Sequence, residues 1–189
     1  MRTIHLETVL PTTADRVWPA MLSPITFLYV CRGLFAFPAL AGRSEPLQVG
    51  ERDTGWLMAF HLIPAYRHTI EVLEKDETTK TLRTHEHGGI LKAWNHTLHV
   101  EPIDEHSCRY SDTVDIDAGI ATALVATVAK GIYRYRHRRW HKLARRHLMP
   151  QDPAHAVSGA LRKNDTSLRQ TKVTRRETVR ISAGQRNAR

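Results

Sequence analysis

The chain has 189 residues and a formal net charge of +9, enough length for one domain with a sizeable core. Cys31 and Cys108 are the only cysteines and no C-x-x-C spacing occurs, which argues against a disulfide framework or a zinc ribbon and fits a reducing compartment. The charge is uneven: residues 1–117 hold 11 Lys/Arg against 16 Asp/Glu, residues 118–150 hold 8 basic and no acidic residues, and residues 151–189 hold 9 basic against 3 acidic.

Thr3–Leu10 reads as a first strand ended by Pro11. Thr12 with Asp15 three residues on predicts a capping box and a helix to about Met21. Ser23-Pro24 predicts a second short helix through about Val30. Residues 32–50 are loop-like, and the apolar run Leu34–Leu40 could cover a core or a cavity mouth. Strand candidates follow, each with one face marked by alternation. Thr54–Ile63 offers Trp56, Met58, Phe60 and Leu62. Ala65–Glu74 offers Tyr66, His68, Ile70 and Val72. Thr79–His87 offers Leu82, Thr84 and Glu86, and Gly88-Gly89 then turns the chain. Leu91–Glu101 offers Trp94, His96, Leu98 and Val100. Ser107–Asp117 offers Cys108, Tyr110, Asp112, Val114 and Ile116. Asp117 can cap a long helix from Ala118 to about His147, stopped by Pro150. Val125, Val128, Ile132, Trp140 and Leu143 are its expected apolar stripe, with Arg134, Arg138, Lys142 and Arg145 on a basic one. Residues 150–189 hold no aromatic side chain, are rich in Arg, Thr, Ser and Gln, and are expected to be disordered.

A turn centred on Asp104 would pair residues whose numbers sum to 208. Trp94 then meets Val114, Leu98 meets Tyr110, and His96 meets Asp112. An imidazole and a carboxylate would face each other on an otherwise apolar surface, and a buried polar pair must satisfy itself or serve a ligand. The same reasoning puts His68 near Glu86. A carboxylate that orients an imidazole makes a general base near neutral pH, so His96 with Asp112 is the candidate catalytic pair. Trp56, Met58, Phe60, Ile70, Trp94, Leu98 and Val114 would form the apolar wall of a ligand site. Tyr66, His68, Thr84, Glu86 and Tyr110 would supply its polar groups.

The order of strand, two short helices, antiparallel meander and long C-terminal helix resembles the helix-grip fold of the START-like superfamily, SRPBCC. Leu6–Leu10 with Thr13-Ala14-Asp15-Arg16-Val17-Trp18 is similar to the opening of its polyketide cyclase/dehydrase branch. Trp94-x-His96, Tyr110-x-Asp112-x-Val114 and the Arg136–Trp140 region resemble that branch's later landmarks. Leu98 stands where relatives with a W-x-H-x-H pattern have a second histidine. The resemblance covers about residues 1–147. It implies an α+β fold for residues 1–149, with a curved antiparallel sheet wrapped around the C-terminal helix, and a hydrophobic small molecule held between them.

Three functions are compatible with these features. The first is binding or transport of a lipid, quinone or polyketide-like molecule. The second is a cyclase or dehydratase using His96 and Asp112. The third is an interaction module acting through the basic C-terminus, with nucleic acid or anionic membrane as its partner. His85-x-His87 lacks the further ligands a tetrahedral metal needs, and no Gly-rich phosphate loop, G-x-S-x-G or H-E-x-x-H occurs, so no metal or cofactor is expected. Met1–Pro11 has no signal-peptide core. Gly119–Ala129 is shorter than the ~20 residues a membrane span requires, which predicts a soluble, cytoplasmic protein.

Overall fold

The computed structural model describes residues 1–146; the expected tail, residues 150–189, lies outside them. Strand β1 (Arg2–Leu10) is followed by helices α1 (Ala14–Met21) and α2 (Pro24–Cys31). Next come a short strand β2 (Phe35–Ala36) and a 3-10 turn (Pro38–Leu40), where the sequence suggested only loop. Strands β3 (Arg52–Ala59), β4 (Ile63–Asp76), β5 (Thr81–Gly88), β6 (Leu91–Pro102) and β7 (Cys108–Asp117) form the meander. A second 3-10 turn (Gly119–Ala121) leads into α3 (Thr122–Arg145). The seven strands make one antiparallel sheet in the order β1-β7-β6-β5-β4-β3-β2. This is the expected α+β helix-grip architecture: a curved sheet whose inner face packs on the long C-terminal helix.

Two helix starts follow different chemistry from that expected. Thr13, not Thr12, precedes α1, and its side chain makes no capping hydrogen bond. Asp117 accepts from the Gly119 backbone amide at 2.9 Å and so caps the 3-10 turn, and α3 begins only at Thr122. Ser23 caps α2 as expected, accepting from Thr26.

Register decides which side chains reach the interior. In the β6–β7 hairpin, Trp94 pairs with Ile116, His96 with Val114, Leu98 with Asp112 and Val100 with Tyr110. The turn is centred on Glu105, so the register is two residues away from the expected one. A shift of two keeps every side chain on its face. Strand β3 differs. A bulge at Leu57/Met58 slides the pairing by one residue, so that Gly55 pairs with His68 and Leu57 with Tyr66. One extra residue inverts a strand's faces. Asp53, Gly55 and Leu57 therefore point inward, whereas Trp56 is 52% and Phe60 66% exposed. Gly55 has a packing role: a Cβ there would lie 2.8 Å from Ala39 Cβ, so only glycine lets the Pro38–Leu40 turn lie close over the sheet.

The core has two parts. Leu10, Val17, Trp18, Val72, Leu82, Val100, Tyr110 and Trp140 pack α1 and the C-terminal half of α3 on the sheet. Ile4, Val114, Ile116, Ala126, Ala129 and Tyr133 hold the N-terminal half of α3. The buried stripe of α3 thus runs Ala126, Ala129, Tyr133, Arg136, His137, Trp140, Leu143 and Ala144, and Val128, expected inside, is 55% exposed. The stripe has the expected period, but two polar residues occupy its middle. Arg134, Arg138, Lys142 and Arg145 are exposed on the helix's other side, as expected.

Candidate functional site

Where the sheet curves away from α3 it leaves a cavity of about 330 Å³. Its apolar wall comes from Phe27, Phe35, Leu57, Leu91, Trp94 and Ile132, and its polar groups are Tyr66, His68, Glu86 and Arg136. Ile90, Leu124 and Val128, all exposed apolar residues, stand at its mouth. A second, smaller cavity of about 50 Å³ is lined by Ile70, Thr84, Glu86, His96, Leu98 and Arg136 among others. Glu86 and Arg136 border both.

Behind these cavities lies a continuous buried polar chain. It starts at His68 on β4, whose Nε2 donates to Glu86 Oε2 at 2.9 Å, while the Thr84 hydroxyl donates to Glu86 Oε1 at 3.0 Å. The other side of Glu86 approaches His96 Nδ1 at 3.8 Å, an ion-pair distance rather than a hydrogen bond. His96 Nε2 donates to Asp112 Oδ1 at 2.7 Å, and the Tyr110 hydroxyl reaches the same oxygen at 3.1 Å. His137, coming down from α3, donates through Nε2 to Asp112 Oδ2 at 2.8 Å. An ionised carboxylate can only accept, so both histidines present a protonated Nε2 to Asp112. The His68–Glu86 and His96–Asp112 contacts are both diagonal across neighbouring strands, where long side chains still meet.

The electrostatics follow from burial opposed by partners. Burial alone would push the Asp112 carboxyl up, but hydrogen bonds from His137 and His96 and the Arg136 charge hold it far below the usual carboxylate range. Glu86 behaves alike: burial raises it, and His68 and His96 outweigh that and keep it ionised. For His96 burial disfavours the charged ring, yet the Asp112 hydrogen bond and the Glu86 carboxylate together raise its pKa above the ordinary histidine value. Desolvation pushes the Cys31 thiol up to about 12 and the Tyr133 hydroxyl well above its usual value, so both stay neutral beside Arg136.

Arg136 stands apart from this chain. It is 5% exposed, and among the described residues no hydrogen bond or ion pair reaches it. Its Nε is buried without a partner. Its guanidinium lies 4.8 Å from the Tyr133 ring centre and 6.0 Å from that of Phe27. Tyr133 is itself fixed by the Trp94 indole, which donates to its hydroxyl at 3.3 Å.

Of the residues singled out from the sequence, Tyr66, His68, Glu86 and Trp94 border the larger cavity. Ile70, Thr84, Glu86, His96 and Leu98 border the smaller one. Asp112 and Tyr110 sit behind them, fully buried. Val114 is solid core against α3. Trp56 and Phe60 are turned to the outside by the β3 bulge, and Met58 borders neither cavity. Sequence reading missed Arg136, His137 and Tyr133. The signal was there, since Tyr133 and Arg136 fall on the 3-4-3-4 spacing of the buried α3 stripe and His137 lies four residues after Tyr133, but it was hidden because two of them are polar. His85 and His87 pack ring to ring at 5.5 Å, and no group of three or more His, Cys, Asp or Glu among the described residues could hold a metal ion. No described helix is long and apolar enough to cross a membrane.

Solved structures share this architecture. Norcoclaurine synthase from Thalictrum flavum, in complex with dopamine and hydroxybenzaldehyde, is 16% identical, with a TM-score of 0.56 over 77% of this chain and 87% of that one. The Zhui aromatase/cyclase from Streptomyces sp. R1128 is 14% identical, with a TM-score of 0.57 over 79% and 96%. A protein from Chromobacterium violaceum is 17% identical, with a TM-score of 0.59 over 75% and 96%. At such identities the likeness is one of fold: the chain has the helix-grip fold that these structures share. No curated protein matches the sequence. A family model described as "Domain of unknown function (DUF8410)" matches residues 38–146, from the first 3-10 turn through α3, and the chain belongs to that family.

Proposed function

We propose that this protein binds a hydrophobic small molecule in the cavity between the sheet and α3. The observation that carries this reading is the cavity itself: about 330 Å³, apolar for most of its wall, with a few polar groups converging at one end. That is the usual form and, at its lower end, the usual size of a small-molecule site. A solid core would have no reason to keep such a void, because empty apolar space forfeits packing energy. Norcoclaurine synthase, with aromatic compounds in its structure, and the aromatase/cyclase support the class of ligand by analogy of fold alone. Native mass spectrometry of the purified protein tests this directly. A discrete added mass of a few hundred daltons, lost on denaturation, is the expected result. An unliganded spectrum, with no thermal stabilisation by a panel of lipids, quinones and polyketide-like aromatics, would overturn it.

A second reading, a cyclase or dehydratase, rests on the 2.7 Å contact of His96 with Asp112 at the edge of the smaller cavity. Its raised pKa makes His96 a better proton donor than base at neutral pH. In that reading His96→Gln abolishes turnover of a bound carbonyl substrate and leaves its binding intact; loss of stability alone, with turnover retained, would remove His96 from any catalytic role.

A further inference from the structure

We propose that Arg136 is the anchor for a carboxylate on the cavity's ligand, so that the molecule bound is an apolar body carrying one planar acid group. This rests on the ligand-binding reading above and narrows it to a chemical class. Three observations converge on it. Arg136 is 5% exposed, its Nε has no partner, and no described residue bonds or pairs with it. Asp112 acts on the guanidinium only at a distance, and buried N–H donors with no directly bonded acceptor are an unfavourable arrangement that the fold would not keep unless something meets them. The neighbouring acids are already engaged: Asp112 accepts from His96, His137 and Tyr110, and both Glu86 oxygens accept from His68 and Thr84. Cys31 and Tyr133 are neutral, so neither supplies the missing anion.

The way Arg136 is held also fits the role. The Tyr133 ring supports the guanidinium through its face at 4.8 Å, an interaction that consumes none of the N–H donors. The in-plane fork stays free, and that fork matches a carboxylate in two parallel hydrogen bonds. Arg136 borders the larger cavity at the end away from the apolar mouth of Ile90, Leu124 and Val128, on the same helix one turn beyond Ile132. A ligand entering tail-outward would place its acid group on Arg136 and its apolar body against Trp94, Ile132 and Leu57. Glu86 is the one like charge on the same wall; its oxygens are committed to His68 and Thr84, which leaves the Arg136 side for the incoming anion.

The test is direct titration of the full-length chain with 2-naphthoate and decanoate, each beside its methyl ester, by calorimetry and thermal shift. Expected is tighter binding of the acids than of the esters by roughly 10-fold or more, since a charged hydrogen-bonded pair supplies about that much discrimination. Arg136→Met should lose the acid preference and keep ester binding, because the apolar side chain offers no donor to a carboxylate. Arg136→Lys, which keeps the charge but not the fork, should show an intermediate preference, and it serves if the methionine variant does not fold. Equal binding of acids and esters to the wild type, or an acid preference that survives in Arg136→Met, would overturn the assignment to Arg136 while leaving a hydrophobic binding site. Binding of neither acid nor ester would overturn the cavity reading itself.

Discussion

A carboxylate with no solvent exposure stays ionised only if its neighbours replace water, and Asp112 shows how that is arranged here. It accepts three hydrogen bonds, two from histidines on different elements and one from a tyrosine. Taking it away leaves buried imidazoles facing nothing. Asp112→Ala should therefore cost about 3–5 kcal/mol, the range for removing one partner from a buried charged cluster, measured as the shift in urea-unfolding free energy at neutral pH. The same cluster sets a pH profile. His96 faces Asp112, Glu86, Arg136 and Tyr133, and its raised pKa means the folded chain holds that proton more tightly than the unfolded one. Its contribution is full below the ordinary histidine pKa of about 6.5 and is lost as pH rises through the higher folded value. Glu86 and Asp112 work the other way. Their depressed values give stability that is present above about pH 4 and lost as the solution is acidified. The urea midpoint should thus be greatest between about pH 5 and 6.5, and His96→Asn should flatten the alkaline slope while leaving the acid slope. An unchanged alkaline slope in that variant would assign it to other groups.

At the scale of elements, the strands from β4 to β7 were legible in the sequence because their inner faces keep their alternation: the β6–β7 register differs from the expected one by two residues, and the one-residue shifts at Val72/Glu74 and Glu86/Gly88 leave Ile70 paired with Glu86 and Thr84 with His96. His68 beside Glu86 and His96 beside Asp112 were legible for the same reason: parity, not exact pairing, brings them together. Strand β3 was legible as a strand, but its inner face was not. Its even positions, Trp56, Met58 and Phe60, are the more apolar ones, and alternation alone assigns them to the core. The bulge at Leu57/Met58, which leaves Ala65 of β4 unpaired, and the left-handed residues Phe60 and His61 at the following turn invert that face; Pro64 marks the turn in the sequence but does not give the one-residue shift. The long helix was expected from Ala118 to about His147; it begins at Thr122 and is described to Arg145, and its inner face was partly misplaced, since Arg136 and His137 look like surface residues until the cavity and Asp112 are in place to receive them. Substitutions separate the two versions of β3. Trp56→Ser should change stability by no more than about 0.5 kcal/mol, whereas Leu82→Ala, on the buried face of β5, should cost about 2–5 kcal/mol. Gly88→Ala should also be destabilising, because a Cβ there falls 2.2 Å from the Arg67 carbonyl oxygen at a φ of +149°. Thermal melts of the three variants decide it, and a large loss in the Trp56 variant would restore the inward face.

For the molecule as a whole, the question is whether the C-terminal segment takes part in what the cavity does. Among the described residues, both apolar clusters are built from residues between Ile4 and Ala144, and the polar contacts to Glu86 and Asp112 come from within the same span. The segment 151–189 contributes 9 Lys/Arg against 3 Asp/Glu, and so two-thirds of the chain's net positive charge. A function seated in the cavity needs none of that charge; a function seated in the C-terminus needs all of it. Ending the chain after Pro150 should leave the melting temperature within about 2 °C, the shift expected of a change below 1 kcal/mol in a chain this size. Binding of 2-naphthoate should also be unchanged at about 150 mM salt, where charges more than ~8 Å away are screened. At about 10 mM salt, where the Debye length approaches ~30 Å, the full chain should bind the anionic probe somewhat faster than the shortened one, through long-range attraction alone. A melting temperature that falls by many degrees, or an affinity lost at the higher salt, would place residues of that segment in the fold or at the cavity, and the ligand class inferred from Arg136 would then have to account for the additional cations.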